Sequence, residues 1–231
     1  MSPGASTLSR MAWPRVSGND LLIPLGSTEQ HGPHLPFSTD SVIAEALGAA
    51  VVEALGDLTL APCLPYGASG EHQAFPGTLS LGTEVTAAVL TELLRSARLS
   101  FSGVVLLSAH GGNAEALAKA AKLAAYEGDE VLVTWPKIPA ADLHAGDSET
   151  SIMLLLHPEL VDTTALEAGN TDSAADLQAG LASGALKALS DNGILGDART
   201  ATAQRGRDYF DTAVSSVLAD VVEWRRQRGS R

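Results

Sequence analysis

The sequence has little cysteine, few aromatic residues and few basic ones. Cys63 is the only cysteine among 231 residues, so no intrachain disulfide can form and nothing indicates an oxidising compartment. Lys and Arg number 15 against 27 Asp and Glu, and the net charge of -12 argues against a nucleic acid partner. No uncharged apolar stretch reaches the ~18 residues of a membrane helix, and residues 1–10 lack the apolar segment of a signal peptide. We therefore expect a cytoplasmic protein that binds neither nucleic acid nor a membrane.

What the sequence does contain is enough apolar material for a large core. Hydrophobic residues make up 45% of the chain and charged residues 18%, which is too little charge for a disordered protein. The length favours one domain over residues 1–231, with residues 1–18 and 227–231 as flexible ends. The basic cluster near the C-terminus is interpreted as a solvated tail, and its members are Arg225, Arg226, Arg228 and Arg231.

Predicted strands and helices alternate along the chain. Strands are expected at residues 21–25, 59–63, 103–107 and 131–133, and helices at residues 41–55, 83–99, 113–127, 148–156 and 208–226. Pro24 has no N–H for a ladder hydrogen bond, which indicates a sheet edge or a strand end. Residues 168–180 are small and polar, so we expect a surface excursion there. The alternation is typical of a three-layer α/β/α single domain around a mostly parallel sheet.

The loops after the predicted strands are rich in side chains that bind metals. In parallel sheets, ligands bind beyond the carboxyl ends of the strands, where these loops would meet. Glu29 and His31 are two residues apart, so in an extended segment both point to the same side. A set of carboxylates and imidazoles suits Zn, Fe or Mn, whereas calcium prefers oxygen alone. The predicted site comprises Glu29, His31, Asp40, His110, His144 and Glu149.

Each of these residues also has a structural interpretation. Asp40 precedes a helix and could be its N-cap, and Glu149 in a first helical turn could complement the helix dipole. His110 could be a buried histidine bonded to backbone, and Glu29 and His31 could lie in a solvated turn. Their joint occurrence at the ends of successive strands favours a metal site.

Two glycine-rich segments extend the candidate site. Gly111 and Gly112 between a strand and a helix could cradle a phosphate, which would suit a non-catalytic nucleotide-binding or assembly protein. The dinucleotide fingerprint and the P-loop pattern are both absent, so we expect these glycines to admit substrate or to donate N–H groups to an oxyanion. His72 lies in a second such segment, residues 67–78, which is either a surface loop or a substrate-facing one.

Several motifs together resemble the creatininase family of metal-dependent amidohydrolases. They are residues 26–36 with Thr39 and Asp40, residues 75–78, residues 110–113, residues 144–146 with 149–151, and residues 193–197 with Gly206. They span residues 21–211 in the family's order. The resemblance implies a layered α/β/α fold, a homo-oligomer, and one or two divalent transition-metal ions per subunit, with Zn or Fe favoured and Mn as a further option.

The resemblance also assigns roles to individual residues. It implies metal ligands at Glu29, His31, Asp40 and His110, with Asp40 bridging where two ions bind. Glu149 matches an acidic position at the metal site and is expected to take part in catalysis. His144 matches a histidine that handles the proton of the leaving nitrogen.

The chain departs from true creatininases at two points. Gly112 stands where they carry an acidic metal ligand, so Glu149 is expected to complete the second metal. The tryptophans that surround their pocket are not in the matching motifs here, although Trp135 ends the fourth strand and is expected to line the site. Within the family, the chain is most similar to the peptidases of the mycofactocin system, which release a modified C-terminal Val-Tyr unit from a small precursor peptide. A small cyclic amide or a formamide is the alternative substrate.

Overall fold

The computed structural model describes residues 6–138, 142–181 and 186–230. The strands are β1 (Asp20–Leu25), β2 (Leu58–Leu60), β3 (Val104–Ser108) and β4 (Val131–Thr134). The helices are α1 (Thr39–Leu55), α2 (Thr83–Ala97), α3 (Ala114–Tyr126), α4 (Asp147–Leu156), α5 (Ala174–Leu181), α6 (Leu186–Leu189) and α7 (Ala203–Gly229). All four predicted strands and all five predicted helices are present, with boundaries shifted by a few residues.

The four strands form one parallel sheet in the order β2-β1-β3-β4. Leu22 is aligned with Leu60 on one side and with Val105 on the other, and Leu106 is aligned with Val133. Parallel strands need crossover connections, and the helices supply them on both faces of the sheet. The predicted layered α/β/α arrangement is confirmed.

Because side chains along each strand alternate between the two faces of the sheet, the core has two parts, one on each face. Leu22 and Val105 point to one face and pack with residues of α1, α4 and α7. Leu21 and Leu106 point to the other face and pack with residues of α2 and α3. Successive side chains of a strand point to opposite faces of the sheet, and helices cover both faces. A continuous apolar run is therefore buried along its whole length.

The expectation that Pro24 marks a sheet edge is wrong, whereas its position near a strand end is right. β1 is an inner strand, between β2 and β3. The Pro24 carbonyl accepts a hydrogen bond of 3.0 Å from Leu64, beyond the last residue of β2. The Pro24 nitrogen therefore faces the side of β1 on which β2 has already ended. Its lack of an N–H costs no regular hydrogen bond between β1 and β2.

The interpretation of the basic cluster as a solvated tail is also wrong for two of its members. Arg225 Nε and Arg228 Nη1 donate to the Asp20 carboxylate at 2.8 and 2.7 Å. Helix α7 continues to Gly229 and is thereby attached to the start of β1. At the other end, the Ser6 carbonyl accepts a hydrogen bond of 2.8 Å from Leu60. Of the predicted flexible ends, residues 1–5 and 231 lie outside the described residues.

The segment predicted as a surface excursion contains a helix. Residues 168–180 include most of α5, and Ala168 pairs with Asp197 through an isolated bridge. Leu177 is buried in a small cluster with Leu186 and Leu195, which explains why this helix forms in a polar stretch. Within the described ranges, no helix combines the length and apolar character needed to cross a bilayer.

Candidate active site

The predicted site residues converge beyond the carboxyl ends of β1 and β3. They surround a cavity of about 390 Å³. The residues from the predicted set that line it are Glu29, Asp40, His72, His110, Gly111, Gly112, His144 and Glu149. His31 is fully buried behind this surface. The close approach of the β1 loop to α1 depends on Gly26, because a Cβ there would collide with the backbone of Ser41.

Asp40 lies between two histidines rather than capping a helix. It stands in the first turn of α1, and the N-cap position belongs to Ser38. Its Oδ1 is 3.1 Å from His31 Nε2 and its Oδ2 is 3.2 Å from His110 Nδ1. The Ser27 hydroxyl donates a further hydrogen bond of 2.7 Å to Oδ2. The carboxylate is thus oriented to face two donors at once.

Glu29 is a buried carboxylate without a hydrogen bond. Its oxygens lie 3.1 Å from His110 Nε2 and 3.1 Å from His72 Nε2. Neither oxygen accepts a well-directed hydrogen bond from the described part of the chain, although the side chain is fully buried. Burial of such a group is costly unless a donor or a cation compensates it.

Glu149 faces His31 from the first turn of α4. Its Oε2 lies 3.9 Å from His31 Nε2 and accepts a hydrogen bond of 2.6 Å from the Ala145 N–H. Ala145 has a φ of 51°, an uncommon conformation for a residue with a Cβ. The turn that carries His144 is therefore folded back onto the Glu149 carboxylate.

Charges alternate through this cluster. Burial would raise the pKa of Glu29, but the positive charge of His110, whose Nε2 lies 3.1 Å away, lowers that pKa to about 2. Burial would lower the pKa of His31, but the Asp40 carboxylate raises it to about 10. Burial raises the pKa of Glu149 to about 7, against the effect of His31. Acidic groups held in ionised form beside imidazoles are the environment that a divalent cation prefers.

The donor set fits a divalent transition metal. Three groups of donors have ligand atoms within 4.8 Å of one another: Glu29 with His31 and Asp40, His31 with His144 and Glu149, and Glu29 with His72 and His144. His110 adds a nitrogen close to both Glu29 and Asp40. Glu29 is shared by two of these three groups. Mixed oxygen and nitrogen ligands of this kind hold Zn, Fe or Mn.

Gln30 contacts His72 through its side-chain amide and His144 through its backbone carbonyl. The amide nitrogen lies 3.1 Å from His72 Nδ1, from the Gly193 carbonyl and from His144 Nε2, and we assign its two hydrogens to His72 and Gly193. His144 Nε2 lies 2.8 Å from the Gln30 carbonyl oxygen. This network assigns the His144 hydrogen to Nε2, so that Nδ1 carries the lone pair.

Trp135 is a predicted site residue that packs in the core instead of lining the cavity. It packs against the core cluster formed with α2 and α3. It follows the end of β4, the outermost strand on that side of the sheet, and it is not among the residues that line the cavity. Its position gives no support for a substrate contact within this subunit.

Several cavity residues were missing from the sequence prediction. Glu71 precedes His72 and could have been found from the same loop. Leu143, Leu181 and Leu186 form an apolar wall of the cavity, and they carry no local feature that distinguishes them from core residues. Asn113 joins two loops: its side chain accepts from Ala68 N–H and donates to the Gly26 carbonyl.

Curated relatives and a family model match nearly the whole chain. The Creatininase model, described as creatinine amidohydrolase, matches residues 9–221. A mycofactocin precursor peptide peptidase of Mycolicibacterium smegmatis is 45% identical over 213 residues, covering 90% of this chain and 86% of the relative. The protein of the same name from Mycobacterium ulcerans is 44% identical over 233 residues, covering 96% and 90%.

Solved structures agree with this relationship. A creatininase structure designated as the Mn form superposes with a TM-score of 0.77 at 25% identity, covering 95% of this chain and 98% of that one. The matching family and the peptidase relatives make this chain a hydrolase of amide bonds. The chain therefore belongs to the creatininase family.

Proposed function

We propose that this chain is a metal-dependent peptidase that releases the modified C-terminal Val-Tyr unit from the mycofactocin precursor peptide. The observation that carries the proposal is the 45% identity to a mycofactocin precursor peptide peptidase across 90% of the chain. The cavity supports it, since it opens beside the carboxylate and histidine cluster.

The proposed metal ligands are Glu29, His31, Asp40, His110 and Glu149. Asp40 would bridge two ions, because its two oxygens face different histidines. A bound divalent ion would polarise the amide carbonyl and lower the pKa of a water. Zn, Fe and Mn all suit the donors, and the creatininase structure designated as the Mn form supports Mn.

The proposed proton carrier is His144. Its Nε2 is held by the Gln30 carbonyl, and its Nδ1 faces Glu29 Oε1 at 3.8 Å. Nδ1 can accept a proton from the attacking water and pass it to the departing amine nitrogen. Glu149, whose Oε2 lies 3.9 Å from His31 Nε2, would accept the second proton of that water as the carboxylate product forms. Backbone N–H groups at Gly111 and Gly112 would contact the carbonyl oxygen of the substrate.

The apolar wall of the cavity suits the proposed substrate. Leu143, Leu181 and Leu186 face the polar cluster across the cavity. Valine and a tyrosine-derived ring bury apolar surface readily, whereas a creatinine-sized ring would leave much of a cavity of about 390 Å³ unfilled. We therefore expect the residues after the cut bond to pack on the leucines.

The test is incubation of the metal-loaded enzyme with modified and unmodified precursor peptide, followed by mass spectrometry. We expect release of the Val-Tyr fragment from the modified peptide and negligible turnover of creatinine or a formamide. Asp40→Ala, which removes the bridging carboxylate, should lower metal content and slow cleavage at least about 100-fold. Rapid hydrolysis of creatinine or a formamide with both peptides intact would refute the peptide assignment in favour of a small-amide hydrolase.

We further propose a homo-oligomer located in the cytoplasm. Large apolar side chains that are well exposed on the single chain support self-association, among them Trp13, Leu99 and Tyr126. The single cysteine favours the reducing compartment. Light scattering coupled to size-exclusion chromatography measures the mass of the assembly.

A further inference from the structure

Glu71 is a cavity carboxylate outside the predicted ligand set. It lies in the 3-10 turn Gly70–His72, immediately before His72. It lines the same cavity as Glu29 and His110, and its Oε1 is 4.0 Å from His72 Nε2. Its side chain is 22% exposed, whereas that of Glu29 is fully buried. Glu71 therefore reaches the centre from the open side of the cavity.

Gly112 makes room for this carboxylate. A Cβ on Gly112 would collide with Glu71 Oε1, with His110 Nε2 and with the carbonyl oxygen of Ala68. The glutamate oxygen and the histidine nitrogen thus border the same small space. A side chain at position 112 would displace Glu71 from it. The glycine is required here by close approach, since its φ is not in the left-handed region.

The charges that act on Glu71 are those of the metal centre. Burial is the largest cause of its raised pKa, and its own backbone N–H opposes that rise. Among the charged neighbours, His110 lowers the pKa, while Glu29 and Asp40 raise it. Three carboxylates that converge on one imidazole repel one another, and a cation between them would relieve that repulsion.

We propose that Glu71 is a metal ligand on the Glu29 and His110 side of the centre, delivered by the loop after β2 into the space that Gly112 leaves open. The inference rests on the proposed metal-dependent function and adds a ligand to it. The other role for a carboxylate here is a contact with a cationic group of the substrate, which would leave metal binding unchanged.

The experiment compares Glu71→Gln with Glu53→Gln, a carboxylate exposed on α1 away from the cavity. Metal affinity is measured on purified protein by competition with a chelator and elemental analysis. We expect the Kd for Zn²⁺ to rise at least about tenfold in Glu71→Gln and to stay unchanged in Glu53→Gln. Without metal, the Tm of Glu71→Gln should be at least as high as that of the wild type. The rise in Tm on adding Zn²⁺ should be smaller in Glu71→Gln than in the wild type.

Wild-type Zn²⁺ affinity and an unchanged Tm rise in Glu71→Gln would overturn the proposal and leave a substrate contact as the role of Glu71. The measurements of metal binding and of peptide cleavage test the ligand assignment and the proposed function independently. If the wild type binds Zn²⁺ and Glu71→Gln weakens that binding, the ligand assignment stands even where no peptide is cut. If peptide is cut by both proteins with equal metal content, the proposed function stands without this ligand.

Discussion

His144 is held at one ring nitrogen and open at the other. The Gln30 carbonyl lies 2.8 Å from Nε2, while Nδ1 faces the cavity side of Glu29. Burial, followed by the neighbouring His31 and His72, lowers the pKa of His144 well below its usual value. A neutral imidazole must first accept the proton that it later delivers. This geometry therefore places both transfers at Nδ1.

We predict that His144→Ala keeps its metal and loses turnover. General acid-base catalysis contributes about 10²–10⁴-fold, so kcat should fall by that order on a peptide. The deficit should shrink on an anilide with a good leaving group, which needs less protonation. His157→Ala, a histidine whose side chain is 48% exposed on the far side of α4, is the control. A deficit of equal size on both substrates would remove His144 from this role.

At the scale of secondary structure, the start of α4 determines where His144 and Glu149 point. Asp142 accepts hydrogen bonds from the N–H of Asp147 and from the N–H and hydroxyl of Ser148. Gly146 packs against this carboxylate so closely that a Cβ would overlap it. The helix N-terminus is thus capped from outside the helix, five residues ahead of it.

Removal of this cap should loosen the turn between His144 and Glu149. We expect Asp142→Ala to lower the free energy of unfolding by about 1–2 kcal/mol and to reduce kcat/KM, because the Ala145 turn is no longer held. Asp142→Asn retains an acceptor oxygen, so the free energy of unfolding and kcat/KM should each fall less than in Asp142→Ala. Urea unfolding and peptide kinetics measure the effects, with Asp172→Ala in an exposed loop as the control. Equal kinetics in Asp142→Ala and the control would contradict the positioning role.

At the scale of the whole molecule, an ion-pair cluster joins α7 to the start of β1, at the end of the sheet opposite the cavity. Asp20 begins β1 and is 6% exposed, and it pairs with Arg225 and Arg228 of α7. The Arg228 guanidinium also lies 4.4 Å above the ring of Trp224. The last helix and the first strand, which are farthest apart in sequence, are thereby joined around a nearly buried carboxylate.

Arg228→Ala should destabilise the fold without affecting catalysis. Loss of a partner of a largely buried carboxylate and of the stacking on Trp224 should cost about 1–3 kcal/mol. Arg226→Ala is the matched control, since Arg226 is 70% exposed and pairs with Glu223 in its own helix turn, where the cost should be below about 0.5 kcal/mol. Chemical unfolding should separate the two variants while kcat/KM at 25 °C stays at the wild-type value. Equal stability of the two variants would show that the cluster is solvated after all.

The sequence alone determined the strands, the alternating helices and most of the donor set. Strand faces follow from residue periodicity, and the chemistry of Glu29, His31, Asp40 and His110 follows from residue type and spacing. Both are local properties, so they can be read without knowing which segments meet. The same local information limited the prediction for Asp40, because that residue taken alone is better explained as a helix cap. The ligand interpretation depends on His31 and His110, which the fold places beside it.

Only the tertiary structure decided which distant segments meet. The strand order put β1 inside the sheet despite Pro24, and it left Trp135 against the core rather than at the cavity. It also brought Leu181 and Leu186 to the cavity, and Glu71 to the space beside Gly112. The physical reason is that the same local sequence pattern allows a crossover connection to place the next strand on either side of the previous one. The choice depends on packing summed over the whole core, which no single segment of sequence carries.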